Sequence, residues 1–90
     1  MVGYHYKGMR LLGGIPGQQV FAYRSIDAQA DVRHPGYFNK AIDEYGLSSG
    51  DMILAVMGEP GEEVPAFYVA RINGGLVTLG VVVALTAGEE

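Results

Sequence analysis

The stretch FAYRSIDAQADVRHPGYF, residues 21–38, decides how this chain is read. Phe21 and Tyr23 stand near one end and Tyr37 and Phe38 at the other, with two aspartates, two arginines and a histidine between them. The segment is either a cluster of catalytic groups or a strand pair leading into a helix. VFAYRS, residues 20–25, alternates, with Phe21 and Tyr23 on one face and Ala22 and Arg24 on the other, the pattern of a strand. AQADVR, residues 28–33, also alternates and predicts a second strand. Ser25-Ile26-Asp27 reads as the turn between them, since Asp27 can hydrogen-bond its own backbone there. His34-Pro35-Gly36 then ends the strand, because the residue before a proline is pushed to extended geometry. Phe38, Ala41, Ile42 and Tyr45 fall at helical spacing and predict a short helix near 37–45, closed by Gly46 as a left-handed cap.

Downstream the pattern is β. Gly50-Asp51 closes a turn, and DMILAVM, residues 51–57, predicts a strand apolar on both faces, hence buried or capped by a partner. The acidic loop 58–65, GEPGEEVP, is expected to be exposed, and AFYVARI is the next strand. Asn73-Gly74-Gly75 is a hairpin signal, because asparagine and glycine tolerate positive φ. LVTLGVVVALT, residues 76–86, is the last strand, with Gly80 suggesting a bulge or bend. Upstream, residues 1–19 hold five glycines and a proline. They lack periodicity but are too apolar for a disordered tail. They predict an extended N-terminal arm that docks on its own domain or a neighbour, with a frayed terminus as the alternative. Residues 20–90 then form a single β-rich domain. Consecutive strands with tight turns predict a mainly β fold with one short helix, an antiparallel meander closed as a small barrel or sandwich.

Composition narrows the function. A chain of 90 residues makes one small domain whose core alone is marginal. It contains no cysteine, and His5 and His34 lie far apart, so neither disulfides nor a zinc site is expected. With 49% apolar and 18% charged residues, some apolar surface should be covered by another chain. No apolar run is long enough to span a membrane, and MVGYHYKGMR lacks the apolar core of a signal peptide. The net charge of −4 argues against neutralising phosphates, so no nucleic-acid partner is expected.

The polar groups build no catalytic constellation. Asp43 and Glu44 lie off the helical stripe and read as solvated. Asp27 and Asp51 read as turn-formers, and His34 lacks a nucleophile and an orienting third group. GGIPG matches no phosphate-binding loop. The chain therefore reads as a non-enzyme without cofactor or metal.

In order, Phe21, Tyr23, Ser25 and Asp27, then Ala30 and Val32, then Tyr37 and Phe38, then Leu47, Gly50, Asp51 and Ile53, followed by an acidic loop and LVTLGVVVALT, make a pattern over roughly residues 14–86. It resembles small structural proteins of tailed bacteriophages, of the capsid decoration, cement or head-fibre kind. DVRHPGYF departs from it by an insertion-like His-Pro before the Tyr-Phe pair. The resemblance implies a virion component on the capsid exterior, assembled in the host cytoplasm and commonly a homotrimer, with the major capsid protein as partner. It makes Phe21, Tyr23, Asp27, Tyr37, Phe38, Gly50, Asp51 and Ile53 structural motif residues. Tyr4, Tyr6, Met9, Leu11 and Leu12 in the arm are then the expected capsid or intersubunit contacts, since extended arms bind by adding strands or filling grooves. The alternatives are another virion part, such as a tail or host-adsorption module facing its partner with the acidic loop, or a nucleic-acid-binding β-barrel.

Overall fold

The computed structural model describes residues 3–81. Five strands form one sheet in sequential order: β1 (Met9–Gly13), β2 (Val20–Ser25), β3 (Met52–Met57), β4 (Val64–Asn73) and β5 (Leu76–Val81). Two short helices, α1 (Gln29–Val32) and α2 (Asn39–Tyr45), lie between β2 and β3. The mainly β character holds, but the sheet is open rather than a barrel. It is also not an antiparallel meander, because β2 and β3 run parallel, in register from Val20↔Met52 to Ser25↔Met57. Parallel neighbours need a crossover of about a dozen residues or more, and the segment from Ile26 to Asp51 supplies it.

AQADVR is not a strand. Gln29–Val32 is a single helical turn, with Val32 N–H bonded to Ala28 O at 3.1 Å and Arg33 N–H to Gln29 O at 3.0 Å. The expected helix is α2, and Gly46 ends it with φ 67°. Gly46 N–H reaches Ile42 O and Leu47 N–H reaches Ala41 O, satisfying carbonyls of the last turn. The Asn73 hairpin also forms: Asn73 pairs with Leu76 across Gly74 (φ 62°) and Gly75 (φ 83°), a two-residue loop with positive φ at both positions.

Gly80 makes no bulge or bend. It pairs with Val69 in unbroken register, and a Cβ there would stand 3.2 Å from Val69 Cγ1, tighter than normal packing. Residues 82–86 of the expected last strand lie outside the described residues. Met9–Gly13, within the arm expected to dock on its own domain or a neighbour, is the edge strand of the sheet, antiparallel to β2 with a register shift between Leu11 and Gly13.

Alternation sorts the sheet into two faces. Met9, Phe21, Tyr23, Ile53, Ala55, Met57, Tyr68, Ala70 and Val77 are buried together with Val32, Phe38, Ala41 and Leu47 of the crossover. The opposite face carries Val20, Ala22, Met52, Leu54, Val56, Phe67 and Val69, all half-buried except Leu54, which is 43% exposed. DMILAVM is therefore apolar on both faces, as read, but only the Ile53, Ala55 and Met57 side is buried within the chain.

Candidate functional site

The polar groups of residues 21–38 converge on the N-terminal segment. Strand β2 points Tyr23 into the core, and the turn before α2 brings Tyr37 beside it, with their hydroxyls 2.8 Å apart. Asp27 follows β2 and is buried, not solvated. The bonds form one directional chain. His5 N–H donates to the Tyr23 hydroxyl at 3.0 Å, Tyr23 can donate to Tyr37, and Tyr37 donates to Asp27 Oδ2 at 2.7 Å. Gly3 N–H donates to the same oxygen at 3.0 Å, while Asp27 N–H bonds Ser25 Oγ at 3.0 Å. Gly3 N–H and the Tyr37 hydroxyl both end on the Asp27 carboxylate.

Burial alone would raise the Asp27 pKa. The bonds from Gly3 and Tyr37, with Ser25 beside them, outweigh it and hold the carboxyl below its ordinary value. Burial pushes the Tyr37 hydroxyl well up, and the bonds with Tyr23 and Asp27 add to this, so it stays protonated. An ionised Asp27 whose Oδ2 holds two donors is a weak base and has no proton to give. The arrangement fastens the N-terminal segment to the domain.

Aromatic packing fastens the same segment. Tyr4 stacks on Tyr23 at 5.7 Å and meets Phe38 edge-on at 5.6 Å. Its hydroxyl is buried with no hydrogen-bond partner among the described residues, and burial, then the nearby Glu44 charge, raises its pKa strongly. The Tyr45 hydroxyl lies 2.8 Å from Tyr6 O and 2.9 Å from Met9 O, tying β1 to α2.

The expected contact residues accordingly divide. Met9 is fully buried and Tyr4 is half-buried against the same core, so both pack on this domain. Tyr6, Leu11 and Leu12 are 52%, 48% and 61% exposed, and Ile15 next to them is 64% exposed.

Asp51 is the second polar hub. It keeps the turn role read for it, with its N–H on Ser48 O at 3.0 Å and its Oδ2 accepting Ser48 N–H at 2.8 Å. It is also fully buried, accepting Gln19 N–H at 2.9 Å on Oδ1 and Gln19 Nε2–H at 2.6 Å on Oδ2. Gly50 (φ 98°) precedes it where a Cβ would meet Gly17 O at 2.8 Å. Asp51 thus holds the start of β2 beside the start of β3. Phe21, Phe38 and Ile53 fill the core around these two hubs.

Gln19, Gly3 and His5 were not legible in the sequence as partners. Gly3 and His5 act through backbone N–H groups, and Gln19 meets Asp51 across 32 positions. His34 is exposed, and its ring Nδ1 lies 3.0 Å from Pro35 O. Among the described residues no three metal-ligating side chains converge, and no helix is long and apolar enough to cross a membrane. The acidic loop is exposed, and its Glu63 pairs with Arg24 at 3.1 Å.

No family model, no curated protein and no solved structure matches the chain.

Proposed function

We propose that this protein is a non-catalytic structural subunit, fixed to a larger protein surface and to copies of itself, and that it serves on the exterior of a bacteriophage capsid as a decoration or cement protein. One observation carries the structural reading. The groups able to do chemistry, Asp27, Tyr37, Tyr23 and Asp51, hold bonds that fasten the fold, while the outer sheet face carries an apolar patch around Leu54, 43% exposed, bordered by Arg10, Arg24 and Arg71. An enzyme site needs the reverse, free polar groups in a pocket. The virion assignment comes from the phage-like order of motifs from Phe21 to Ile53.

Attachment to the capsid runs along β1. It is an edge strand with no second strand paired on its outer side among the described residues, and Leu11, Leu12 and Ile15 stand exposed there. A free edge accepts another extended chain by main-chain bonding, and apolar side chains supply the burial. The test is co-sedimentation of the purified protein with capsids assembled from the major capsid protein of the same genome. Binding of the wild type, reduced at least tenfold in Leu11→Asp/Leu12→Asp, supports the assignment. Absence of wild-type binding overturns it.

A further inference from the structure

We propose that the outer face of the sheet is the docking surface for this chain's own C-terminal segment, residues 82–90, with Glu89 and Glu90 set on Lys7, Arg10 and Arg24. This goes beyond capsid attachment, which uses the β1 edge, and does not depend on it.

Charge is sorted onto this face. The chain has a net charge of −4, yet four of its six lysines and arginines gather here. Arg10, Ala22, Leu54 and Phe67 form one row across β1 to β4. Lys7 and Arg24 border the same hollow as Arg10, over Ala22, Leu54 and Val56. Arg71 stands on the outer side of β4, and a Cβ on Gly80 would lie 3.5 Å from its Nε. Glu63, from the loop before β4, holds Arg24 at 3.1 Å in the one ion pair among the described residues. The floor is apolar, with Leu54 43% exposed, and the rim is cationic.

That chemistry narrows the occupant. The same face of a second copy would bring cations against cations, which repel across an interface. Single-stranded nucleic acid needs aromatic platforms between the cations, and here the floor between them is aliphatic. A segment that is first apolar and then acidic fits. Residues 82–90, VVALTAGEE, have that order, from Val82 to Leu85 and then Glu89 and Glu90. Position and length agree. β5 ends at Val81 beside Tyr68, so the segment starts next to Phe67, at the opposite end of the row from Arg10. From β5 to β1 is four strand spacings, about 19 Å, and nine extended residues reach about 30 Å. A straight continuation along β4 would bring position 85 to Val64 and carry Glu89 and Glu90 on to the acidic loop, where Glu59, Glu62 and Glu63 repel them. Crossing the face places them on the cationic rim instead.

The test is paramagnetic broadening of amide signals in the full chain. The sequence has no cysteine, so Gly88→Cys takes a single nitroxide beside the two glutamates. Broadening should be strongest at Arg10 and Ala22, and absent when the nitroxide sits on unlabelled copies mixed with isotope-labelled ones. Broadening centred on Gly61 and Glu62 means a straight continuation of β5 and overturns the proposal. Broadening in the mixed sample means that a neighbour's segment covers the face, and overturns it too, as does broadening with no centre. Adding Glu89→Gln/Glu90→Gln to the labelled chain should lower the effect at Ala22 about twofold or more, the order expected of surface ion pairs. An unchanged effect removes the glutamates from the contact and overturns the charge pairing. None of these readings involves a capsid, so they fail or succeed separately from the virion assignment.

Discussion

The Tyr37 hydroxyl donates to Asp27 Oδ2 at 2.7 Å, and that one oxygen also accepts Gly3 N–H. A side chain from the crossover and a backbone group from the N-terminal segment are thus held by a single carboxylate. The expected arm is therefore a latched part of the domain at its start, while Tyr6 and the segment from Leu11 to Ile15 present exposed apolar side chains.

The latch should be acid-sensitive. Asp27 has a folded-state pKa below its unfolded value, which is about 3.9. Its stabilisation is therefore complete above that value and is lost as pH falls through the lower folded-state value. Between pH 7 and 5 the latch should hold; below about pH 4 the Gly3–His5 segment should loosen first. Amide exchange of Gly3 and His5 against pH reads this directly. Asp27→Asn should lower the protection of those amides at neutral pH, relative to their intrinsic exchange rates, to the level wild type shows in acid. Protection unchanged by the substitution would remove Asp27 from the latch.

Removing the second hub should cost more. Asp51→Ala leaves the Gln19 and Ser48 backbone N–H groups and the Gln19 amide without their acceptor in a buried place. Orphaned buried donors cost about 1–3 kcal/mol each, so a loss of about 3 kcal/mol or more is expected in urea unfolding. Asp43→Ala on the exposed side of α2 should stay within about 0.5 kcal/mol. Equal effects would show that burial of Asp51 is not what matters.

Strand and helix existence was legible where the pattern ran long enough. Phe21 and Tyr23 announce β2, the Phe38-to-Tyr45 stripe announces α2, and Asn73-Gly74-Gly75 announces the last hairpin. AQADVR was misread because a helical turn of four residues is shorter than the period that would reveal it, while two-residue alternation shows in any short run. The parallel β2–β3 pairing follows from the long connection through 26–51, which stays hidden as long as the alternation of AQADVR reads as a strand within it. The partners of Asp27 and Asp51 were not legible, because contacts between residues far apart in sequence follow from topology.

The β4–β5 turn tests the backbone. Gly74 and Gly75 carry φ of 62° and 83°, so each substitution there meets left-handed strain with open space around it. Gly74→Asn should cost little, since asparagine visits that region, while Gly74→Val should cost about 1–3 kcal/mol. Thermal unfolding of the pair separates conformational strain from packing, because no neighbour lies within 4 Å of either Cβ position.

The two kinds of residue in the expected arm should part cleanly under truncation of their side chains. Met9 is fully buried against the aromatic core beneath β1, whereas Leu12 is 61% exposed on the same strand. Deleting a buried side chain of this size leaves a cavity and removes its transfer free energy, so Met9→Ala should cost about 2–5 kcal/mol in urea unfolding. Leu12→Ala removes surface that water already reaches and should stay within about 0.5 kcal/mol. Capsid co-sedimentation should show the reverse order, with Leu12→Ala weakened and Met9→Ala, at a temperature where it remains folded, binding like wild type. If Leu12→Ala unfolds the protein, the exposed part of the arm belongs to the fold. If Met9→Ala alone loses binding while folded, the contact lies on the inner side of β1 and the edge-attachment reading fails.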